Sequence, residues 1–499
     1  MSAKKEFYIT TAIDYPNGNP HIGHAYEKIV TDFYARWYRQ LGYRVHFLTG
    51  TDENGQKLLQ SAQNVGKNVN EFVAEYAQVF RDFCHQLNIT FDDFIRTTES
   101  RHQQAAIKIW ESLKNQQAIY FDKYEGLYCF GCETFYTETQ APEGKCPEHH
   151  KPLEVKSEEG YFFKLSQYES WLLDYINTHP DFIVPSSARK EILGRLKKEG
   201  LKDLAISRPN QNWGIPVPGD DRFVMYTWFD ALINYYSALG SDQLKKDFWP
   251  CDAHVIGKDI TWFHTVIWPC ILKAANIEPP KQVYVHGMVL AADGKKMSKS
   301  LGNVIDPFMI LEKYPLDSIR YYILRSISAH ADGSFVEQEL KDRHNSELGN
   351  DFGNLVMRVL KLCLKKIGPD MPLNNAQLTL PMDGTFTAFK SAVKDFEHHR
   401  ALDILWESIR KVNAYINTSE PWKIKENPEL LHEVLYNCLY AIHCATYLLC
   451  PAMPNIAQKI YAYLGLKTSD LLKNPCLHFG QFVYRLSEPE ILFVKFESE

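Results

Sequence analysis

No stretch of about 18 consecutive apolar residues occurs in this 499-residue chain, so no segment is expected to cross a membrane as a helix. The opening run Met1-Ser2-Ala3-Lys4-Lys5-Glu6-Phe7-Tyr8 lacks the charged-then-apolar order of a secretory signal and the arginine-rich character of a transit peptide. Positive charge is not in excess: 55 Lys and Arg stand against 61 Asp and Glu, a formal net charge of −6. That argues against holding nucleic acid through overall charge and leaves a local basic patch as the route. Cysteine is scarce and odd in number, eleven in all, and Cys363, Cys438 and Cys450 stand singly in apolar context. Reduced thiols in a cytoplasmic protein are expected rather than a disulfide framework. Internal repeats and low-complexity tracts are also missing.

What is present suits a globular protein: 45% hydrophobic and 23% charged residues, enough to form a core. The length calls for about two to four domains. Residues 6–12 read as a short buried strand, followed by a Pro-, Asn- and Gly-rich loop over residues 15–20. Ala25, Ile29, Phe33 and Trp37 then recur on one helical face, with Val30 and Tyr34 beside them, and Gly42 is a helix stop. Residues 43–48 read as a second strand that ends in the loop Thr49-Gly50-Thr51-Asp52. This strand–helix–strand unit opens a doubly wound parallel sheet.

The α/β pattern breaks between residues 116 and 225, which hold a Cys cluster and the Pro-rich run Trp213-Gly214-Ile215-Pro216-Val217-Pro218, and it returns afterwards. The fold expected is α/β: a Rossmann-like catalytic domain in two halves, 1–115 and 226–290, split by a zinc-knuckle insertion, 116–225. A linking segment, 291–340, leads to an all-α bundle, 341–480, and a tail, 481–499. The bundle is read from Phe352, Leu355, Val356, Val359, Leu360 and Cys363, and from Leu402, Leu405, Ile409, Val412 and Ile416, all at helical spacing.

Cys129 and Cys132 are two residues apart, and Cys146 and His149 repeat that spacing after thirteen residues. Two close ligand pairs, rich in thiolate, on turns with Gly131 and Pro147 are a zinc signature. Four protein ligands close the tetrahedron, so one structural Zn²⁺ is expected; His150 is an adjacent substitute, but the spacing favours His149.

His21-Ile22-Gly23-His24 falls between a strand end and a helix, where backbone N–H groups and the helix dipole favour an anion. Two imidazoles there can donate to phosphate oxygens as charge develops, and Gly23 lets a base or ribose approach the backbone. A solvated surface pair is the plainer reading of such histidines. Further on, Asp293-Gly294 marks a tight turn before Lys295-Lys296-Met297-Ser298-Lys299-Ser300. Lys296, Lys299 and two serines can grip a triphosphate, with Lys299 on the pyrophosphate leaving group; the plainer reading is a solvated basic loop. Gly257-Lys258-Asp259 ends another strand and reads alone as a turn.

The two motifs, in this order on this fold, resemble the paired signatures of class I aminoacyl-tRNA synthetases. The resemblance implies attack of an amino-acid carboxylate on the α-phosphate of ATP with Mg²⁺ neutralising charge, then transfer to the tRNA 3′ end. It makes His21, His24, Lys296 and Lys299 the catalytic groups, and Gly23, Glu27, Gly257, Asp259, Val289, Met297, Ser298 and Ser300 the ATP contacts. Enzymes of this class for Leu, Ile and Val carry an editing domain, because a pocket separates one methylene poorly. The metal cluster in the insertion weighs against those three.

Over nearly the whole chain the sequence is similar to the methionyl-tRNA synthetase family. The matching stretches are 15–26, 47–52, 213–218, 226–231, 256–264 and 286–303. That resemblance implies a methionine pocket of Ile13, Tyr15, Asp52, Trp228, Ala231, Tyr235, Ile260 and His264. Aromatic walls suit a polarisable thioether, and Asp52 can pair with the substrate ammonium. Trp228 and Tyr235, seven apart, also fit plain core packing. Ala12 and Asp14 depart from the family, where many members have Pro and an aromatic residue, and Asp14 adds a charge beside the pocket. The resemblance also makes Asn354, Arg358 and Trp422 an anticodon-reading set. Asn354 and Arg358 share a helix face, and an amide, a guanidinium and an indole can bond to and stack on splayed bases.

Two other readings are weighed against this one. A cysteine-specific synthetase would need zinc open to the substrate thiol, which four protein ligands oppose. A non-catalytic RNA-binding relative would be expected to have lost a nucleotide signature, and both are intact. The expected partners are ATP, L-methionine and methionine tRNA, initiator and elongator, with no membrane. Many family members continue past the equivalent of residues 491–494 into a dimerising RNA-binding domain, so a monomer is expected here, with a separate tRNA-binding subunit as an option.

Overall fold

The computed structural model describes residues 5–129, 134–136, 141, 143–147, 150–297, 302–373, 380, 382–467, 470 and 473–497. Its centre is a six-stranded parallel sheet. The strands are β1 (Glu6–Thr11), β2 (Arg44–Thr51), β3 (Asp93–Arg96), β4 (Ile183–Val184), β5 (Ala253–Gly257) and β6 (Val283–His286), in the spatial order β3-β2-β1-β5-β6-β4. The chain winds outward from β1 through β2 to β3, then returns on the other side of β1. The ends of β1 and β5 therefore flank the crevice where the winding reverses, the place where open parallel sheets bind ligands.

The predicted helix is α1 (Ile22–Gln40), and Ala25, Ile29, Phe33 and Trp37 are all buried against the sheet and its neighbours. The second strand runs further than its sequence suggests. Thr49-Gly50-Thr51, read as loop, pairs with β3, and a Cβ at Gly50 would sit 2.0 Å from the Ile95 carbonyl oxygen. Only glycine admits that approach, and a loop-forming composition here serves a strand.

Residues 119–129 and 154–163 pair antiparallel, and residues 134–136 and 204–205 widen this sheet to four strands. A second small sheet joins residues 207–209, 216–217 and 220–225. Between them, β4 leaves this region and adds to the edge of the central sheet beside β6.

Beyond residue 340 the described elements are mainly helices: α2 (Asn354–Lys366), α3 (Met382–Lys394), α4 (His398–Ser419), α5 (Pro428–Leu449) and α6 (Pro454–Tyr463). They share one continuous apolar core with α1. Trp37 packs on Phe386 and Phe389 of α3, at ring-centroid separations of 6.1 and 5.1 Å. A fully buried Arg320 crosses the same boundary. Its guanidinium donates to Asp32 of α1 at 2.6 Å and to the carbonyls of Leu87, Pro451 and Ala452. Charge pairing and carbonyl acceptance together make such burial tolerable. Among the described residues no helix is long and apolar enough to cross a membrane.

Candidate active site

The first turn of α1 is built by two histidines. His21 is the N-cap, and its Nδ1 accepts the Gly23 N–H at 3.1 Å; His24 Nδ1 reciprocates by accepting the His21 N–H at 3.0 Å. This is a capping box made with imidazoles. The rings lie 3.9 Å apart at 34°. Because each Nδ1 accepts, the proton of each neutral ring is on Nε2. Part of the backbone donor set at the helix start is thus spent on the rings, and the Nε2–H groups are the donors the rings themselves can offer. At Gly23 a Cβ would lie 2.9 Å from the His21 ring, so glycine is what lets the ring fold back.

The nucleotide side continues across the crevice. Glu27 on α1 is buried, with Oε2 3.2 Å from His286 Nε2 at the end of β6. His286 Nδ1 faces the Gly287 carbonyl at 2.8 Å and must donate to it. Gly257 ends β5 with no side chain to block the space toward His286 and Asp259. Asp259 is exposed and Val289 is buried. From Val289 the chain forms a hairpin whose turn carries Gly294 at φ +75°, and it comes back with Lys296 bridged to Leu290. Lys296 is exposed, and Met297 packs on the core. Ser298, Lys299 and Ser300 lie outside the described residues.

The proposed amino-acid side lies on the ends of β1, β2 and the segment after β5. Tyr235 Oη and His264 Nε2 are 2.7 Å apart, and His264 Nδ1 is 3.0 Å from the Ile260 carbonyl. The carbonyl can only accept, so Nδ1 carries the proton and Nε2 accepts the tyrosine O–H. Burial pushes His264 down to about 4 and Tyr235 well above its ordinary value, so both are neutral at neutral pH. A wall without net charge matches a thioether and penalises a charged side chain. Trp228 is half-buried and stacks on Phe263, with centroids 3.8 Å apart at 12°. Ala231 is buried one helical turn on. Asp52 is buried and follows β2, its N–H donating to the Asp14 carbonyl at 2.9 Å. Asn54 then reaches Asp230 at 2.8 Å, tying that loop to the helix that carries Trp228 and Ala231. Ile13 is half-buried, and Tyr15 packs near Leu58, Ala62, Phe72 and Val73.

Three groups escaped the sequence reading. Phe263 sits on a π-helical turn, Phe263–Ile267, which also carries His264. Such turns interrupt regular helices at functional places, but their signal is not periodic. His286 lay inside a matching block without a role. Lys28 is a charged residue on the buried side of α1, where apolar periodicity gives no warning of it.

The charge added by Asp14 does not stand loose in the pocket. Its carboxylate is buried beside the Lys28 ammonium, with Oδ2 2.9 Å from Nζ. Burial raises Asp14 to about 6 despite that partner. Burial alone would lower Lys28, but the Asp14 and Glu27 carboxylates outweigh it and keep the ammonium protonated.

Replacing Trp228 by alanine is expected to raise the Michaelis constant for methionine far more than that for ATP, because the indole stacks on Phe263 in the proposed amino-acid wall. Steady-state pyrophosphate exchange with each substrate varied checks this, and equal rises would point to a general packing loss.

Remote from this crevice, Asn354 opens α2 and is exposed. Arg358, one turn later, donates to Asn417 Oδ1 at 2.8 Å and to Asn413 Oδ1 at 3.4 Å, both on α4. Trp422 follows the left-handed Glu420 that ends α4 and is 39% exposed.

In the small antiparallel unit, Cys129 ends the strand Ile119–Cys129 and is buried, as is Cys146. The Cys146 N–H donates to the Lys151 carbonyl and the His150 N–H to the Cys146 carbonyl, both at 2.8 Å. This tight turn leaves its thiol 3.8 Å from Tyr136 Oη on the neighbouring hairpin. Cys132 and His149 lie outside the described residues, and among the described residues no three His, Cys, Asp or Glu side chains converge as a metal site. Cys129 and Cys146 are thus two buried free thiols in one small unit.

Comparison with known proteins gives a consistent result. The family described as "tRNA synthetases class I (M)" matches residues 7–153 and 149–360. The chain is 43% identical to the methionine–tRNA ligase of Clostridium perfringens over 484 residues, 93% of this chain and 74% of that protein. It is 39% identical to the Bacillus subtilis methionine–tRNA ligase over 521 residues, 99% of this chain and 78% of that protein. Its fold is similar to the crystal structure of Mycobacterium tuberculosis methionyl-tRNA synthetase bound by methionyl-adenylate, with a TM-score of 0.93, 35% identity, and coverage of 98% of this chain and 100% of the other. The chain belongs to the class I tRNA synthetases, in the methionyl-tRNA synthetase family.

Proposed function

We infer that the protein joins L-methionine to methionine tRNA. Methionine and ATP first give methionyl-adenylate and pyrophosphate; the tRNA 3′ end then takes the methionyl group and AMP leaves. The observation that carries this reading is the neutral Tyr235–His264 pair, walled by Trp228 and Phe263, next to the His21–His24 helix start at the reversal of the sheet. No residue is needed as a covalent nucleophile; positioning and electrostatics drive the step. His21 and His24 donate to the phosphates through Nε2, and Lys296 and Lys299 meet the leaving pyrophosphate. Gly23, Glu27, Gly257, Asp259, Val289, Met297, Ser298 and Ser300 hold ATP, which arrives with Mg²⁺. Ile13, Tyr15, Asp52, Ala231 and Ile260 complete the methionine site, with Asp52 on the ammonium. ATP–pyrophosphate exchange with each of the twenty amino acids tests the reading: methionine alone should support exchange. Cysteine-dependent exchange, or none, would reject it.

The helical region, residues 341–480, is assigned to the anticodon through Asn354, Arg358 and Trp422. Its support is the exposed amide and indole, and a guanidinium steadied by Asn413 and Asn417. Trp422→Ala should weaken charging through tRNA affinity by roughly 1–3 kcal/mol, the value of one lost base stack, and leave tRNA-free methionine activation unchanged. Undiminished charging at limiting tRNA would remove Trp422 from the site.

Cys129, Cys132, Cys146 and His149 would hold one Zn²⁺, whose closed coordination stiffens the insertion, residues 116–225. Metal analysis should find one zinc per chain, and Cys129→Ser should lose it, with the knuckle disordered and the exchange chemistry intact in outline. Protein prepared without chelator and free of metal would contradict this. The reduced thiols among the described cysteines suit the cytoplasm.

A further inference from the structure

Lys28 is wholly buried, and five oxygens of four other residues surround its ammonium. Nζ lies 2.9 and 3.1 Å from the two Asp14 oxygens, 3.3 Å from Thr11 Oγ1, 3.4 Å from the Ala12 carbonyl and 3.6 Å from Glu27 Oε1. Three segments meet on this one charge. The end of β1 brings Thr11 and Ala12. The following loop brings Asp14, between Ile13 and Tyr15 of the methionine wall. Helix α1 brings Glu27, one turn from His24.

An apolar side chain of similar volume would fill this place at less expense, because burying an ion pair rarely stabilises a fold over a hydrophobic replacement. An ammonium supplies two things an apolar group does not. It neutralises carboxylates beside the seat of a polyanion: Asp14 Oδ1 is 3.9 Å from His24 Nε2, and Glu27 faces the nucleotide side with His286. It also makes the position of the 12–15 loop depend on that of α1, since both hold the same point charge. The loop's backbone fastenings run to the sheet: the Ala12 N–H to the Val255 carbonyl of β5, the Asp14 N–H to the Gly50 carbonyl of β2, and the Asp52 N–H to the Asp14 carbonyl. Lys28 ties it to the nucleotide helix through an ammonium in direct contact with the Asp14 carboxylate.

We propose that Lys28 is a positioning residue for both substrates, a buried strut that couples the seating of methionine to the seating of ATP. This rests on the reading of the crevice as a methionine and ATP site. Coupling of this kind is reciprocal: whatever ATP adds to methionine affinity, methionine adds to ATP affinity.

Four proteins test it: the unaltered chain, Lys28→Met, Asp14→Asn, and the double variant Asp14→Asn/Lys28→Met. The dissociation constant of methionine is measured by tryptophan fluorescence with and without α,β-methylene-ATP, and KM and kcat are taken from pyrophosphate exchange. Lys28→Met should raise KM for both substrates about tenfold with a much smaller change in kcat, and the factor by which the ATP analogue tightens methionine should fall toward one. Should Lys28→Met fail to fold for want of a countercharge, the double variant, which also removes the Asp14 charge, carries the test. It should regain much of the ATP affinity, because the repulsion is gone, yet still lack the coupling, because the strut is gone. A double variant with the unaltered coupling factor would overturn the inference while leaving the functional reading in place. So would a folded Lys28→Met with both KM values within about twofold of the unaltered chain. An unaltered chain that exchanges without regard to methionine would overturn the functional reading and this inference with it.

Discussion

Replacing His24 by alanine is expected to slow methionine-dependent pyrophosphate exchange by about 100-fold, the usual loss when one donor to a developing oxyanion is removed. Two separate interactions disappear in this variant. Nδ1 no longer accepts the His21 N–H, a helix-capping loss of about 1 kcal/mol in stability. The Nε2–H proposed to meet phosphate is removed as well. Two further variants separate these losses. In His24→Asn the amide oxygen reaches the place of Nδ1, so the cap and the melting temperature should recover while the rate stays low. In His24→Gln the amide nitrogen reaches the place of Nε2, so part of the rate should return. A rate that recovers with the cap in the Asn variant and not in the Gln variant would mean that His24 matters only as a cap. The assignment of Nε2 as the phosphate donor would then fail.

Lys299→Ala should lower the rate of adenylate formation by a similar or greater factor, about 100-fold or roughly 3 kcal/mol, with methionine affinity nearly unchanged. Lys299 is read as meeting charge that develops on the departing pyrophosphate, an interaction present mainly in the transition state. Removing such a contact lowers kcat and kcat/KM together, whereas removing a ground-state contact raises KM alone. Stopped-flow measurement of adenylate formation alongside equilibrium methionine binding distinguishes the two. A folded variant that exchanges at the normal rate would refute the role. Because Lys296 is exposed on the returning arm of the hairpin, Lys296→Ala makes a useful companion, and a smaller effect there would identify Lys299 as the principal cation.

Local pattern was enough for a good part of this molecule. The 25/29/33/37 periodicity located α1, and the strands read over residues 6–12 and 43–48 on either side of it are present as Glu6–Thr11 and Arg44–Thr51, because helix and strand periods are properties of neighbouring residues. Motif spacing likewise placed His21 and His24 at a helix start and Gly257 at a strand end. Other features depended on contacts between distant segments. Thr49-Gly50-Thr51 became strand because Ile95 lies close enough to demand a glycine. Residues 183–184, inside a stretch of different character, joined the central sheet because β6 offered an open edge. The helices after residue 340 merged with α1 into one core through Trp37, Phe386, Phe389 and the buried Arg320. In the crevice, the sequence offered candidate pocket residues, but not the proton on His264, the stacking partner of Trp228 or the ammonium that takes up the Asp14 charge. A side chain's protonation and partner depend on which strand ends and loops converge on it once water is excluded, and residues 14 and 28, or 228 and 263, carry no mark in their order along the chain that they will meet.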